Sequence, residues 1–377
     1  MSSSLHQRAL ALVEPVVTVA AAQSVAVDRD AAFPQHTIDA LRRAGLLGLV
    51  TPEAHGGLGG GITDAALVVE QLARVCGSSA MVTCMHYAGA AVLAAHGSPQ
   101  VNRRVAAGQE LCTLAFSEAG SRSHFWAPLS TARVEGEMVV LDARKSWVTT
   151  AHHATALVWS SQPVAAEGAS TIWLVPGGNV GLSIPAGFDG LGLRGNDSTP
   201  MLAEGLRIPA DHRLGADGGG FDLMMGVVLP AFQLMNAACS VGLMEGALQG
   251  AASHVAGTGY GHLGGSTLAE LPTVRAYLAK ARCQADMART LWLDAIAAVE
   301  AQRPDAMLRV LQSKAAAGDA ALEVTATCMR ICGGAAFRRE LGLERAFRDA
   351  QAASVMAPTS DVLYDFIGKA LTGLPLF

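Results

Sequence analysis

The sequence predicts a mostly helical α+β protein: an N-terminal α-helical domain, a small central β-barrel and a C-terminal four-helix bundle. Three observations carry this. Apolar residues recur at helical spacing up to about residue 111, β-branched residues alternate with polar ones to about residue 215, and the helical period then returns. The expected domains are residues 1–111, 112–215 and 216–377. With 377 residues, 51% of them hydrophobic, the chain can bury a substantial core and more than one compact unit is expected.

In the first domain "FPQHTIDALRRAGLLGLVTPEAHGGLGGG" has apolar residues at helical spacing, then a Pro and a Gly cluster that end the helix. "ITDAALVVEQLARVCGSSAMVTCMHYAGAAVLAAHGS" reads as two Ala-rich helices parted by "GSS", the second capped by Ser78 or Ser79. In the second domain "STARVEGEMVVLDARKSWVTT", "ATALVWSSQP", "STIWLVPGG" and "MLAEGLRIPADHRL" are short strands between turn residues, as in a small barrel or sandwich. After "GADGGG", the segments "LPTVRAYLAKARCQADMARTLWLDAIAAVEAQ" and "MLRVLQSKAAAGDAALEVTATCMRICGG" are long and amphipathic, suited to a bundle. No internal repeat is visible.

A net charge of −5 with scattered Lys and Arg gives no electrostatic footprint for nucleic acid. "MSSSLHQRALALVEPVV" lacks the basic-then-apolar order of a signal peptide. No membrane span is expected; the nearest candidate, Phe221 to Leu248, is interrupted by Asp222, Pro230, Gln233, Asn236 and Glu245 and reads as a buried helix. Seven scattered cysteines argue against a disulfide framework and for core packing in a reducing compartment. Cys328 and Cys332 lie one turn apart without further His or Cys partners, so no metal site is expected. The expectation is a soluble cytoplasmic protein.

Several strings, in order, resemble the acyl-CoA dehydrogenase family over nearly the whole chain. "LRRAGLLGLVTPEAHGGLGG" is similar to its N-terminal signature, "LAFSEAGSRS" to its T-E-P-x-A-G-S-D flavin loop and "KSWVTTA" to its K-x-W-I-T-N motif. "RICGG" and "AFRDA" resemble its two C-terminal landmarks. The resemblance implies FAD rather than FMN, bound across a dimer interface within a homodimer or homotetramer. An isoalloxazine ring needs polar donors at one edge and an apolar or aromatic wall. Leu114, Phe116 and Ser117 would supply the edge, Trp147 the wall, and Thr149 a hydroxyl near the reactive nitrogen. Ser123 matches the serine beside the pyrophosphate, Gly333 and Gly334 the close approach to the dinucleotide, and Thr359 a further contact, with Asp361 beside it. Read singly, Trp147 is a core aromatic and the glycine pair a helix cap; the whole pattern favours the flavin. Thr258 and Pro272 replace an Arg and a Gln that hold FAD in the family, which leaves Arg330 or Arg275 to supply the lost charge.

In this family the stretch matching "SVMAPTSD" reads Y-E-G-T-S, and its Glu removes the substrate's α-proton. Here that seat is Ala357, followed by Pro358. The alternative seat, in an L-E-R-like string, falls on Ala231 or Phe232 of "LPAFQLMNAAC", with Gln233 near the Arg. Asp361 and Glu245 match neither seat, and Asp361 also suits a helix cap. Around the flavin loop stand Arg122, His124, Phe125 and Trp126, and "MVTCMHYAGAAV" adds His86 and Tyr87 near the family's acyl pocket. Arg122, His124, His86 and Tyr87 are the candidates for oxygen chemistry at a reduced flavin, which needs a hydrogen-bond donor and a positive charge. The adjacent His152 and His153 read as a turn.

Three readings follow. The first is an FAD-dependent oxidoreductase acting on an acyl-CoA or carrier-protein thioester, using O2 as a monooxygenase does, with a separate flavin reductase or electron acceptor. The second is an α,β-dehydrogenase with a relocated base, Asp361 or Glu245. The third is a non-catalytic binding subunit. No Gly-rich fingerprint argues for direct NAD(P)H binding.

Overall fold

Glycine-rich breaks and shifts of hydrophobic period divide the chain where the elements begin and end. The computed structural model describes residues 4–121, 124–185, 187–261 and 265–376. Helices α1 (Ser4–Arg29), α2 (Gln35–Arg43), α3 (Ile62–Ala73), α4 (Gly77–His96) and α5 (Pro99–Ala106) come first. Neither Ser78 nor Ser79 caps α4; its N-cap is Cys76, which makes no side-chain cap. Both hydroxyls are taken by tertiary contacts instead: Ser78 Oγ accepts from the Gly195 amide at 3.1 Å, and Ser79 Oγ meets Thr37 Oγ1 at 3.4 Å.

The strands are β1 (Cys112–Ala115), β2 (Thr131–Glu135), β3 (Met138–Val148), β4 (Ala156–Ser161), β5 (Thr171–Pro176), β6 (Leu182–Ser183), β7 (Thr199–Pro209) and β8 (Arg213–Leu214). They form two four-stranded sheets, ordered β1-β4-β5-β8 and β2-β3-β7-β6. Only the β1–β4 pairing is parallel among them. A bridge from Glu118 to Lys145 joins the end of β1 to β3 and so links the two sheets. Alternating inward residues build a separate core here around Trp159, Trp173, Leu141, Leu206 and Ile208.

Helix α6 (Gly220–Leu223) passes through a π-helical turn, Met224–Val228, into α7 (Leu229–Gly257). A hairpin of β9 (Gly259–Tyr260) and β10 (Ser266–Thr267) leads to α8 (Pro272–Glu300), α9 (Ala306–Cys332), α10 (Leu343–Val355) and α11 (Ser360–Thr372). The N- and C-terminal helices share one hydrophobic core, because α3 and α4 lie against α7. Close approach requires glycine: a Cβ on Gly242 would sit 2.3 Å from the Glu70 carbonyl oxygen.

The expectation that no segment suits a membrane span is corrected. Leu5–Arg29, Gly77–His96 and Gly220–Gly257 are each long and apolar enough by length and composition. The apolar windows of the latter two are 78% and 89% buried inside the protein, against 28% for the first, so their hydropathy reflects core packing. Six of the seven cysteines are buried and Cys283 is exposed.

Candidate functional site

A cavity of about 910 Å³ lies where all three regions of the chain meet. Its wall draws Met85 from α4, Leu114 and Phe116 from β1 and the residues after it, Trp147 from the end of β3, Phe232 from α7, and Met356 from the α10–α11 junction. Such a size falls within the range of small-molecule sites.

One edge of the cavity is polar. Ser117, Ser146, Thr149 and Ser198 line it, and Thr359 reaches the cavity from the α10–α11 junction. Thr149 Oγ1 lies 2.7 Å from Ser198 Oγ, and the Thr149 carbonyl accepts from Thr113 Oγ1 at 2.6 Å, so the hydroxyl is held in place. Beside this edge Trp147 sits at a β-bulge with φ +57° and remains 69% exposed. A tryptophan held in a left-handed conformation, its ring uncovered beside a polar rim, is the wall that a flat heterocycle needs. The residues present therefore fit an isoalloxazine.

Beneath the edge, Glu118 and Lys145 form a buried ion pair at 2.5 Å. Lys145 Nζ also donates to the Ser160 carbonyl at 2.7 Å, and Glu118 accepts from the Leu129 and Ser130 amides at 2.6 and 3.0 Å. Burial pushes the Lys145 ammonium down to about 8, with Glu118 opposing. The pair fastens the base of the loop between residues 118 and 130 to β3 and offers no free carboxylate.

The floor is the junction from Met356 to Thr359. Lys314 on α9 is buried and donates to the carbonyls of Met356 at 2.9 Å and Pro358 at 2.6 Å. Burial pushes it down to about 7, Asp319 opposing. Thr359 is the N-cap of α11 and accepts from the Val362 amide at 3.4 Å. Leu193 and Arg348 line the cavity and are held from outside it: Asp349 Oδ1 accepts from the Leu193 amide at 2.6 Å, and Arg348 holds Asp28 with two hydrogen bonds of 2.8 and 2.6 Å.

Residues 6–108 match the acyl-CoA dehydrogenase N-terminal domain and residues 218–372 the acyl-CoA dehydrogenase C-terminal domain. The chain belongs to the acyl-CoA dehydrogenase family. It is 28% identical to cyclohex-1-ene-1-carbonyl-CoA dehydrogenase of Geobacter metallireducens, over 93% of each chain. Butyryl-CoA dehydrogenase of Megasphaera elsdenii superposes with a TM-score of 0.91 at 21% identity, covering 99% of both chains. FMN-bound TdsC of Paenibacillus sp. A11-2 superposes with a TM-score of 0.87 at 21% identity, covering 98% of both. These last two likenesses show the shared fold. FAD is the cofactor of the family.

Against the family pattern, Leu114, Phe116, Ser117, Trp147, Thr149 and Thr359 converge on the cavity. Arg122 and Ser123 lie outside the described residues. His86 and Tyr87 do not reach the cavity, a correction with a clear cause. His86 Nδ1 accepts from the Cys112 amide at 3.0 Å and Nε2 lies 2.8 Å from the Leu47 carbonyl, so the ring is a fully buried neutral tie between β1 and the α2–α3 loop. Burial pushes it down to about 4. Tyr87 donates to the Leu46 carbonyl at 2.9 Å, and burial pushes its phenol far up. His124 is exposed and packs edge-on to Trp126 at 5.1 Å.

Arg330 stacks over Tyr277 at 4.7 Å, Arg275 donates to the Glu270 carbonyl at 2.6 Å, and Gly333 and Gly334 lie exposed past the end of α9. None of these four lines the cavity. Asp361 sits exposed in the first turn of α11, where Thr359 rather than Asp361 is the cap, and it does not line the cavity either. Glu245 is bound to Arg282 at 2.6 and 3.0 Å, which lowers its pKa. Neither is placed as a relocated base. Ala357 does line the cavity, so the carboxylate seat is present and holds a methyl group.

Sequence reading missed Glu118, Lys145, Lys314 and Asp349. The first two stood inside quoted motif strings, and Lys314 was a lone cation in the apolar run "QSKAAAG"; both were legible signals of a buried charge.

Proposed function

We propose that this protein is an FAD-dependent oxidoreductase acting on an acyl thioester, of CoA or a carrier protein, in an O2-dependent reaction rather than base-assisted α,β-desaturation. One observation carries the reading. Among the described residues lining the cavity no histidine occurs, and the one carboxylate, Glu118, is tied to Lys145. The floor that would present a base presents Ala357. A positioned general base contributes about 10²–10⁴-fold, and nothing at this floor supplies it.

When bound, the flavin supplies the electron chemistry. The chain's residues bind and orient: Trp147 covers one face, Thr149 and Ser117 direct hydroxyls at the polar edge, and Phe116, Phe125 and Phe232 keep water from the substrate's apolar part. A separate flavin reductase supplies electrons, and the protein works in the cytoplasm as a homodimer or homotetramer.

The test is to load the protein with FAD, reduce it without oxygen, and mix it with oxygenated buffer while recording absorbance. Fast reoxidation that an acyl-CoA ester does not suppress is expected. Slow reoxidation that the ester suppresses further, with bleaching of the oxidised flavin by the ester, overturns the reading. That result would favour dehydrogenation, which the likeness to the Geobacter enzyme supports. Failure to take up FAD would leave a binding subunit.

A further inference from the structure

We propose that Gln233 and Asn236 form a polar subsite behind Met356, at the floor of the cavity, for a neutral hydrogen-bonding group at the far end of the acyl chain. The inference rests on the thioester reading above and names the substrate class within it: acyl groups ending in a hydroxyl or a carboxamide.

Leu229, Phe232, Gln233 and Asn236 follow one another on α7 at the spacing that places residues on one helical face. Leu229 and Phe232 line the cavity. Gln233 is 0% exposed, and neither its amide oxygen nor its nitrogen has a hydrogen-bond partner. Asn236 is 1% exposed, and its Oδ1 is likewise unpartnered. Its Nδ2 donates to Met356 Sδ at 3.3 Å, a weak acceptor, and Met356 itself lines the cavity. The Asn236 amide is therefore separated from the cavity by one side chain, Met356, and the Gln233 amide lies one turn earlier on the same helical face.

Burying an amide with no partner costs stability that a leucine of similar size would not. Unpartnered buried polar atoms also occur elsewhere, among them Trp159 Nε1, Thr150 Oγ1 and Ser170 Oγ, whereas in the bundle core Trp292 Nε1 donates to the Leu234 carbonyl at 2.9 Å and Ser313 Oγ to the Val310 carbonyl at 2.8 Å. The cover is suited to move, since methionine is unbranched and adaptable. The free groups are two amide oxygens and one amide nitrogen, so the matching ligand both donates and accepts. A carboxylate would meet the two oxygens unfavourably, and the Lys314 ammonium is already engaged by the Met356 and Pro358 carbonyls.

The test uses FAD-loaded protein and two kinds of probe. Hexanamide, measured by calorimetry, is expected to bind wild type about tenfold more tightly than Gln233→Leu or Asn236→Leu, the loss of one net hydrogen bond. By flavin absorbance, 5-hydroxypentanoyl-CoA is expected to bind wild type about tenfold more tightly than hexanoyl-CoA, and both variants lose this preference. Should Gln233→Leu fail to fold, Gln233→Met gives the same comparison. Equal binding of hexanamide to wild type and variants, or none, overturns the subsite, as an ordered water held by the three atoms would produce. Discrimination of hexanamide with neither ester binding keeps the subsite and overturns the thioester reading instead.

Discussion

Replacing Asp349 by asparagine isolates the electrostatic cost of holding the cavity rim. Asp349 is 4% exposed, and its carboxylate accepts the Leu193 amide while α4 begins directly against it: a Cβ on Gly77 would lie 2.7 Å from Oδ2. Burial pushes Asp349 up to about 6 from an ordinary 3.8, with the Leu193 amide, Arg345 and Arg348 opposing and Asp28 adding. The native state thus keeps a proton that the unfolded chain has lost between these two values, so this group's contribution falls as pH rises through that window and is flat above it. About two units of difference amount to about 3 kcal/mol. His86 acts with the opposite sign. Its ring falls to about 4 from 6.5, so the unfolded chain binds the extra proton and stability rises with pH across nearly the same window, again by about 3 kcal/mol. The two slopes offset each other in the wild type. Asp349→Asn keeps an acceptor for Leu193 and removes the charge, which exposes the His86 slope. Urea unfolding between about pH 4 and pH 7 is expected to show the variant gaining about 3 kcal/mol more stability than the wild type as pH rises. Parallel profiles for the two proteins would refute the burial argument.

Three further outcomes follow from the floor and the buried pair. Lys314→Met orphans the Met356 and Pro358 carbonyls, which is expected to lower unfolding stability by about 2–4 kcal/mol and to weaken acyl-CoA binding read by flavin absorbance. Ala357→Glu places a carboxylate in a seat that already faces the cavity, so bleaching of the flavin by acyl-CoA is expected to accelerate by about 10²–10⁴-fold; an unchanged rate would show that the floor no longer presents a base correctly. Glu118→Gln breaks the buried pair and removes the charge that holds the Lys145 ammonium up against burial, at an expected cost of about 3–5 kcal/mol in denaturant unfolding.

Periodicity and local strings were enough for the order of helices, strands and bundle, because hydrophobic spacing and glycine placement are properties of neighbouring residues. They also gave Trp147, Thr149 and Thr359, which lie in or beside motif strings and all reach one cavity. The same local reading placed His86 and Tyr87 in the pocket, since both stand on a helix that lines it through Met85. Which way they face is a matter of packing: β1 and the α2–α3 loop present a free amide and two carbonyls to them, and burial holds the imidazole neutral. Asp349 was out of reach, because it acts on a backbone group 156 residues away in the chain; Lys314 was legible as a buried cation, but not the Met356 and Pro358 carbonyls it holds, 42 and 44 residues away. Spacing along a sequence reports which face of an element is apolar; only the folded chain decides which polar group meets a partner and which, like Gln233, is left without one.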